Sequence, residues 1–239
     1  MDFTIYKTEL EQKGFVVIPE IYTDTDIMEI EDVINKVDKN ADTFRKSADL
    51  FAIRQFLNEV PETKEYLFNS KLQNVINQLF GENYFPIKSI YFDKPGNSNW
   101  FVAYHQDLTI SVDKKIKVDN FGPWTVKQNQ FAVQPPLTIL ENIYTIRIHL
   151  DETNENNGAL KVIPASHRKQ IYRPETIDWN IETEVICNVP KGGIMIMKPL
   201  LLHASGRTTN SSNRRVAHIE FSNIKLPEPL QWSEKININ

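Results

Sequence analysis

The chain is poor in most of the features that mark a specialised class of protein. One cysteine, Cys187, occurs in 239 residues, so no intrachain disulfide, CxxC redox pair or cysteine zinc cage can form. A reducing, cytoplasmic setting is expected. No segment approaches the ~18 consecutive apolar residues of a membrane span, and the opening MDFTIYKTEL lacks the basic and apolar regions of a secretory signal. Charge of either sign is dispersed: 27 Lys+Arg face 31 Asp+Glu, for a formal net charge of −4. That balance predicts no nucleic-acid or membrane partner, because such partners select a basic patch. There is no GxGxxG and no alternation of strands with helices, which argues against a doubly wound nicotinamide enzyme. No repeat, low-complexity tract or Pro/Gly/Ser-rich linker divides the sequence, so residues 1–239 are expected to form a single domain.

The composition that remains, 41% hydrophobic and 24% charged, is that of an ordinary globular protein. Near the start, Ile27, Ile30, Val33, Ile34 and Val37 recur at helical spacing after a Thr23-Asp24 cap. Leu72, Val75, Ile76, Leu79 and Phe80 do the same between Ser70 and Gly81. A helical flank over about residues 1–82 follows. From Tyr84 the pattern changes to short β-type runs: YFPIKSIYF, WFVAYHQDLTI, FAVQ, YTIRIHL, ALKVIP, EVICNV, GIMIM and RVAHIEF. Eight such runs over about residues 83–225 predict a mainly β (α+β) fold, a sandwich or closed jelly roll with flanking helices. A polar stretch at about residues 113–130, carrying Phe121, Pro123 and Trp124, reads as a mobile, lid-like insert.

Five histidines are present. In YHQD, strand alternation places His105 and Asp107 on one face, about 7 Å apart along the chain. His203, in KPLLLHASG, follows a strand-like run and offers a third ligand. Two imidazoles and a carboxylate leave open metal positions and suit non-haem Fe(II) with dioxygen. A second HxD, His149-Leu150-Asp151, fits the same pattern. There the isoleucines and leucine face one way and Arg147, His149 and Asp151 the other. Arg147 gives Asp151 a ready salt-bridge partner, which modestly favours the first pair.

The segments PGNSNWFVAYHQD, RIHLDETNENNGALKVIPASH and KPLLLHASGRTTNSSNRR, in that order, resemble the phytanoyl-CoA dioxygenase family of Fe(II)- and 2-oxoglutarate-dependent oxygenases. The similarity runs from about Arg54 to Phe221. It implies a double-stranded β-helix, the cofactors Fe(II), 2-oxoglutarate and O2, and metal ligation by His105, Asp107 and His203. His149 and His167 match positions that do not bind metal. Arg214, eleven residues after His203, matches the arginine that holds the far carboxylate of 2-oxoglutarate, and Ser205 a hydroxyl sharing that carboxylate. Alternation allows only one of Arg214 and Arg215 to point inward; if it is Arg214, Val216 and His218 share its face. Trp124 matches a tryptophan lining the cosubstrate pocket. Arg54 matches a basic residue that reaches 2-oxoglutarate in some members. Lys94 and Trp100 are placed to close the pocket. Related halogenases lack the carboxylate that Asp107 supplies, so the resemblance implies hydroxylation of a small or medium organic substrate, with release of succinate and CO2. Apart from Lys114-Lys115-Ile116-Lys117 no cationic cluster suits a CoA phosphate. A metalloenzyme of cupin type that does not use 2-oxoglutarate, and a non-catalytic descendant, are the competing readings.

Overall fold

A computed structural model describes residues 2–37, 44–47, 51–127 and 130–238. Its helices are α1 (Phe3–Lys13), α2 (Asp24–Asn35), α3 (Phe56–Glu59), α4 (Thr63–Leu67), α5 (Ser70–Leu79) and α6 (Leu137–Leu140). The strands are β1 (Phe15–Ile18), β2 (Phe44–Lys46), β3 (Phe51–Arg54), β4 (Phe85–Lys94), β5 (Val102–His105), β6 (Ile110–Val112) and β7 (Trp124–Lys127). They continue as β8 (Gln130–Val133), β9 (Tyr144–His149), β10 (Leu160–Val162), β11 (Val185–Cys187), β12 (Ile194–Met197), β13 (His203–Ser205) and β14 (Arg214–Ser222).

The helices form where spacing and capping both call for them. Thr23 and Asp26 close a reciprocal capping box at the start of α2, and Asn69 caps α5 through the Leu72 N–H. The buried positions of α5 are Leu72, Val75, Ile76 and Leu79, one stripe of a 3.6-residue period. Between α1 and β1, Gly14 turns the chain with φ +84°, and a Cβ there would come 2.4 Å from His167 Nδ1; only glycine fits both constraints.

Seven strands form one antiparallel sheet in the order β1-β12-β9-β14-β4-β3-β2, and four form a second, β11-β10-β13-β5. Alternation sorts the larger sheet into two faces. Ile146, Ile148, Leu150, Ala217, Ile219 and Phe221 share one apolar cluster with α2 and α5, the outer face. From the inner face Met195 and Met197 meet Leu160, Val162 and Cys187 of the smaller sheet. The two sheets therefore pack as a double-stranded β-helix, apolar at one end and polar at the other, where Arg147, His218 and Arg214 project inward.

Several expectations are corrected. The flank over residues 1–82 is not wholly helical, because β1, β2 and β3 within it extend the larger sheet. A four-residue apolar run such as Phe15-Val16-Val17-Ile18 cannot be separated from a helix segment by periodicity. WFVAYHQDLTI is not one strand: β5 and β6 belong to different sheets, since residues 106–109 leave the ladder. The stretch at 113–130 is not wholly loop, for β7 pairs with β8 and β8 with β6 in a third sheet. Residues 128 and 129 of that stretch lie outside the described residues. His203 sits on a strand that composition does not favour; β13 exists because β10 and β5 pair with it from both sides.

Candidate metal centre and its cavity

β5 and β13 bring His105 and His203 directly opposite each other. Each Nδ1 lies 2.8 Å from the carbonyl oxygen two residues earlier, Ala103 for His105 and Leu201 for His203. A carbonyl only accepts, so Nδ1 donates and the lone pair is left on Nε2. Asp107 stands just beyond β5, its N–H donating to Pro199 O at 2.9 Å. Between them Gln106 turns away. Its Nε2 donates to Leu200 O at 2.5 Å and its Oε1 accepts from Tyr172 N at 2.8 Å. One side chain thus ties the segment carrying Asp107 to the segment that leads into His203.

The Nε2 atoms of His105 and His203 lie 3.9 Å and 3.8 Å from the Asp107 oxygens, too far for hydrogen bonds. One ligand atom from each of the three residues lies within 4.8 Å of the others, and Asp107 Oδ2 is buried without a partner. Burial alone would raise the Asp107 pKa; His203, Lys88, His218 and His105 outweigh it and hold the carboxyl below its ordinary value. Burial pulls His203 down to about 4 against the attraction of Asp107. Both groups are therefore deprotonated at neutral pH, the state a metal ion requires.

A cavity of about 170 Å³ is lined by these three residues together with Ser205 and Arg214, with Val102, Leu160, Phe92 and Trp100 among its walls. Arg214 is 2% exposed, yet its Nε and Nη1 have no partner, and neither has the buried Ser205 Oγ. Burial, reinforced by the Arg147 charge, lowers the Arg214 guanidinium to about 9. Its neighbour Arg215 points outward and grips Asp151 through Nε and Nη2 at 2.9 and 2.7 Å. The alternation expected of this pair is thus observed, and His218 lines the same cavity as Arg214.

Other sequence expectations fall elsewhere. Arg147 is not the partner of Asp151; it lies on the inner face, where its Nη1 is 3.1 Å from His218 Nδ1. Trp124 does not line the cavity but packs with Val133 and Ile110 in the apolar cluster under the third sheet. Lys94 is buried and donates to Gly206 O at 2.6 Å. Arg54 lines a separate cavity of about 360 Å³ with Asp113, Gln130 and Glu234, which shares Lys88 and Ile90 with the first. His149 Nδ1 meets Thr153 Oγ1 at 2.7 Å, and His167 Nε2 donates to Glu11 O at 3.2 Å. Sequence reasoning missed the inward roles of Lys88 and Arg147; the available signal was a charged residue within a core strand, Arg147 between Ile146 and Ile148 and Lys88 between Ile87 and Ser89.

The family model "Phytanoyl-CoA dioxygenase (PhyH)" matches residues 10–216. A Caenorhabditis elegans protein named phytanoyl-CoA dioxygenase domain-containing protein 1 homolog is 21% identical over 296 aligned positions, covering 96% of this chain and 93% of its own. Among solved structures, EctD from S. alaskensis with 2-oxoglutarate and 5-hydroxyectoine superposes with a TM-score of 0.68 at 17% identity, covering 90% of this chain and 74% of the other. The non-heme alpha-ketoglutarate-dependent carbocyclase SnoK from nogalamycin biosynthesis gives a TM-score of 0.65 at 15% identity, covering 92% and 83%. At these identities the likeness shows a shared fold.

Proposed function

The chain belongs to the phytanoyl-CoA dioxygenase family, and from that premise we propose that it is an Fe(II)- and 2-oxoglutarate-dependent dioxygenase acting on a small or medium organic molecule. Its cofactors are Fe(II), 2-oxoglutarate and O2, and its default reaction is hydroxylation with release of succinate and CO2. One observation carries the reading. Three ligand atoms, one of them a buried carboxylate oxygen without a hydrogen-bond partner, open onto a cavity that is also lined by a buried arginine with two unpartnered nitrogens.

The residues fit the implied group. His105, Asp107 and His203 would hold Fe(II), and Arg214 with Ser205 would hold the far carboxylate of 2-oxoglutarate. Bound there, the metal and keto acid supply dioxygen activation coupled to oxidative decarboxylation. The protein contributes geometry and dryness. The Nδ1 bonds of both imidazoles fix their tautomer and ring angle. Asp107 stays ionised, so no proton need leave before ligation. Val102, Leu160 and Phe92 give the cavity apolar walls, and the buried Arg214 charge acts there at a lower dielectric than in water.

The larger cavity, which shares Lys88 and Ile90 as lining with the first, is where the substrate sits in this reading. Asp113 and Gln130, at the two ends of the 113–130 stretch, line it, which gives that stretch a selecting role within a single catalytic domain. Cys187 is buried as a free thiol, and a cytoplasmic location suits it. Among the described residues no helix is long and apolar enough to cross a membrane.

The test is anaerobic titration of metal-free protein with Fe(II) and then 2-oxoglutarate. The visible metal-to-ligand charge-transfer band should develop on addition of the keto acid and need more of it in Arg214→Ala. Bound iron without the band favours the cupin-type reading, and no iron binding favours a non-catalytic descendant.

A further inference from the structure

The inner face of the larger sheet holds a buried arginine that the proposed chemistry has not used. Arg147 on β9 faces His218 of β14 across the ladder, is 7% exposed and lines the metal cavity. A chain of bonds fixes it. Its Nη1 is 3.1 Å from His218 Nδ1, His218 Nε2 is 3.3 Å from Glu220 Oε1, and the same oxygen accepts from Lys88 Nζ at 2.6 Å. A guanidinium only donates, so His218 Nδ1 accepts and its proton is on Nε2, toward Glu220.

That relay uses Nη1 alone. Arg147 Nε is buried without a partner, and the edge of the guanidinium that carries Nε and Nη2 is the side-on fork that carboxylates take with two bonds. Arg215 uses that very edge on Asp151 in this molecule. Arg147 therefore presents a free, oriented carboxylate fork inside the cavity.

The two inward arginines serve different ends of it. Arg147 Nη1 meets His218, and a ring nitrogen of His218 lies within 4.8 Å of an Asp107 carboxylate oxygen. Arg147 is therefore the cation next to the metal-binding carboxylate, and Arg214 is a second cation lining the same cavity, as Ser205 does. A four-residue step along β14 separates Arg214 from the His218 that anchors Arg147.

We propose that Arg147 binds the carboxylate next to the keto group of 2-oxoglutarate, so that the cavity is a two-arginine cradle with one guanidinium for each end of a dicarboxylate. His218 acts as a positioning residue, holding the Arg147 fork through the bonds to Glu220 and Lys88. The inference rests on the cosubstrate reading above.

The test is anaerobic calorimetry on the Fe(II)-loaded protein with two keto acids, 2-oxoglutarate and 2-oxopentanoate, which shares the keto acid end but lacks the far carboxylate. Arg147→Gln should weaken both ligands by the same factor, about tenfold to a hundredfold for a charge-assisted pair. Arg214→Gln should weaken 2-oxoglutarate alone and erase its advantage. His218→Ala, which frees the fork without removing it, should weaken both ligands by less than Arg147→Gln does. Should Arg147→Gln fail to fold, Arg147→Lys keeps the charge without the fork and must still lose affinity for both. Wild-type affinity for both ligands in the folded Arg147 variants would overturn the proposal, as would a loss confined to 2-oxoglutarate. Wild-type protein that loads iron and binds neither keto acid would instead sink the cosubstrate reading itself.

Discussion

His105-Gln106-Asp107 and His149-Leu150-Asp151 are the same tripeptide pattern on facing sheets, and the structure treats them in opposite ways. In the first, both imidazole Nε2 atoms and the carboxylate converge, and Asp107 Oδ2 is left without a partner. In the second, Asp151 is consumed. It accepts from the Arg215 backbone N–H at 2.8 Å and from that side chain at 2.7 and 2.9 Å, while Arg215 also reaches Glu31 at 2.8 Å. His149 is tied at Nδ1 to Thr153. The spacing brings side chains to a face; which groups are already satisfied decides what they remain free to bind.

The largest break in this comparison comes from removing a ligand. His203→Ala and Asp107→Ala should abolish stoichiometric Fe(II) binding and reduce 2-oxoglutarate-dependent succinate release to background, in protein that still melts cooperatively. His149→Ala should retain stoichiometric iron by metal analysis. Iron lost from a folded His149→Ala and kept in His203→Ala would exchange the roles of the two pairs.

Asp151→Ala sharpens the contrast from the other side. It removes a bidentate pair and leaves Arg215 with Glu31 as its remaining carboxylate, so stability measured by denaturation should fall by about 2 kcal/mol, a value moderated by the roughly one-fifth exposure of the pair. Iron affinity should be unchanged. A stable variant with weakened metal binding would mean that Asp151 serves the centre after all.

The same contrast explains what was legible in the sequence. Alternation in IRIHL placed Arg147 and His149 on the face opposite Ile146, Ile148 and Leu150, and the apolar cluster bears that out. It could not say which cation takes Asp151, because Arg215 arrives from 64 residues away and Arg147 from four. Helices α2 and α5 were legible because caps and period agreed. β13 was not, since His203-Ala204-Ser205 becomes a strand through its neighbours. Trp124 was assigned by resemblance to a pocket, and the third sheet gives it apolar company instead. Arg214 was legible because two adjacent arginines on a strand must diverge; that its nitrogens would be left unpartnered in a cavity depends on the packing of the facing sheet.

The smallest predicted effect concerns the proton on His149. Burial first, then the Arg147 and Arg214 charges, hold its pKa well below the ordinary 6.5, so the folded chain keeps it neutral. Below 6.5 the unfolded chain takes up a proton that folded His149 refuses. The unfolded state then binds more protons, and stability must fall as pH falls, by at most about 1.4 kcal/mol per pH unit for one group. His203, His218 and His167 are lowered in the same direction, so wild-type protein should lose stability through this window by their joint effect. His149→Gln removes one share. Its melting temperature, measured on metal-free protein, should lie furthest from wild type near neutral pH if the substitution destabilises, and the gap should narrow on acidification toward pH 5. Curves that stay parallel would mean that His149 titrates alike in the folded and unfolded chains, and a gap that widens on acidification would mean that the fold favours its protonated form, either of which would overturn the reading of His149 as a neutral packing group beside two arginines.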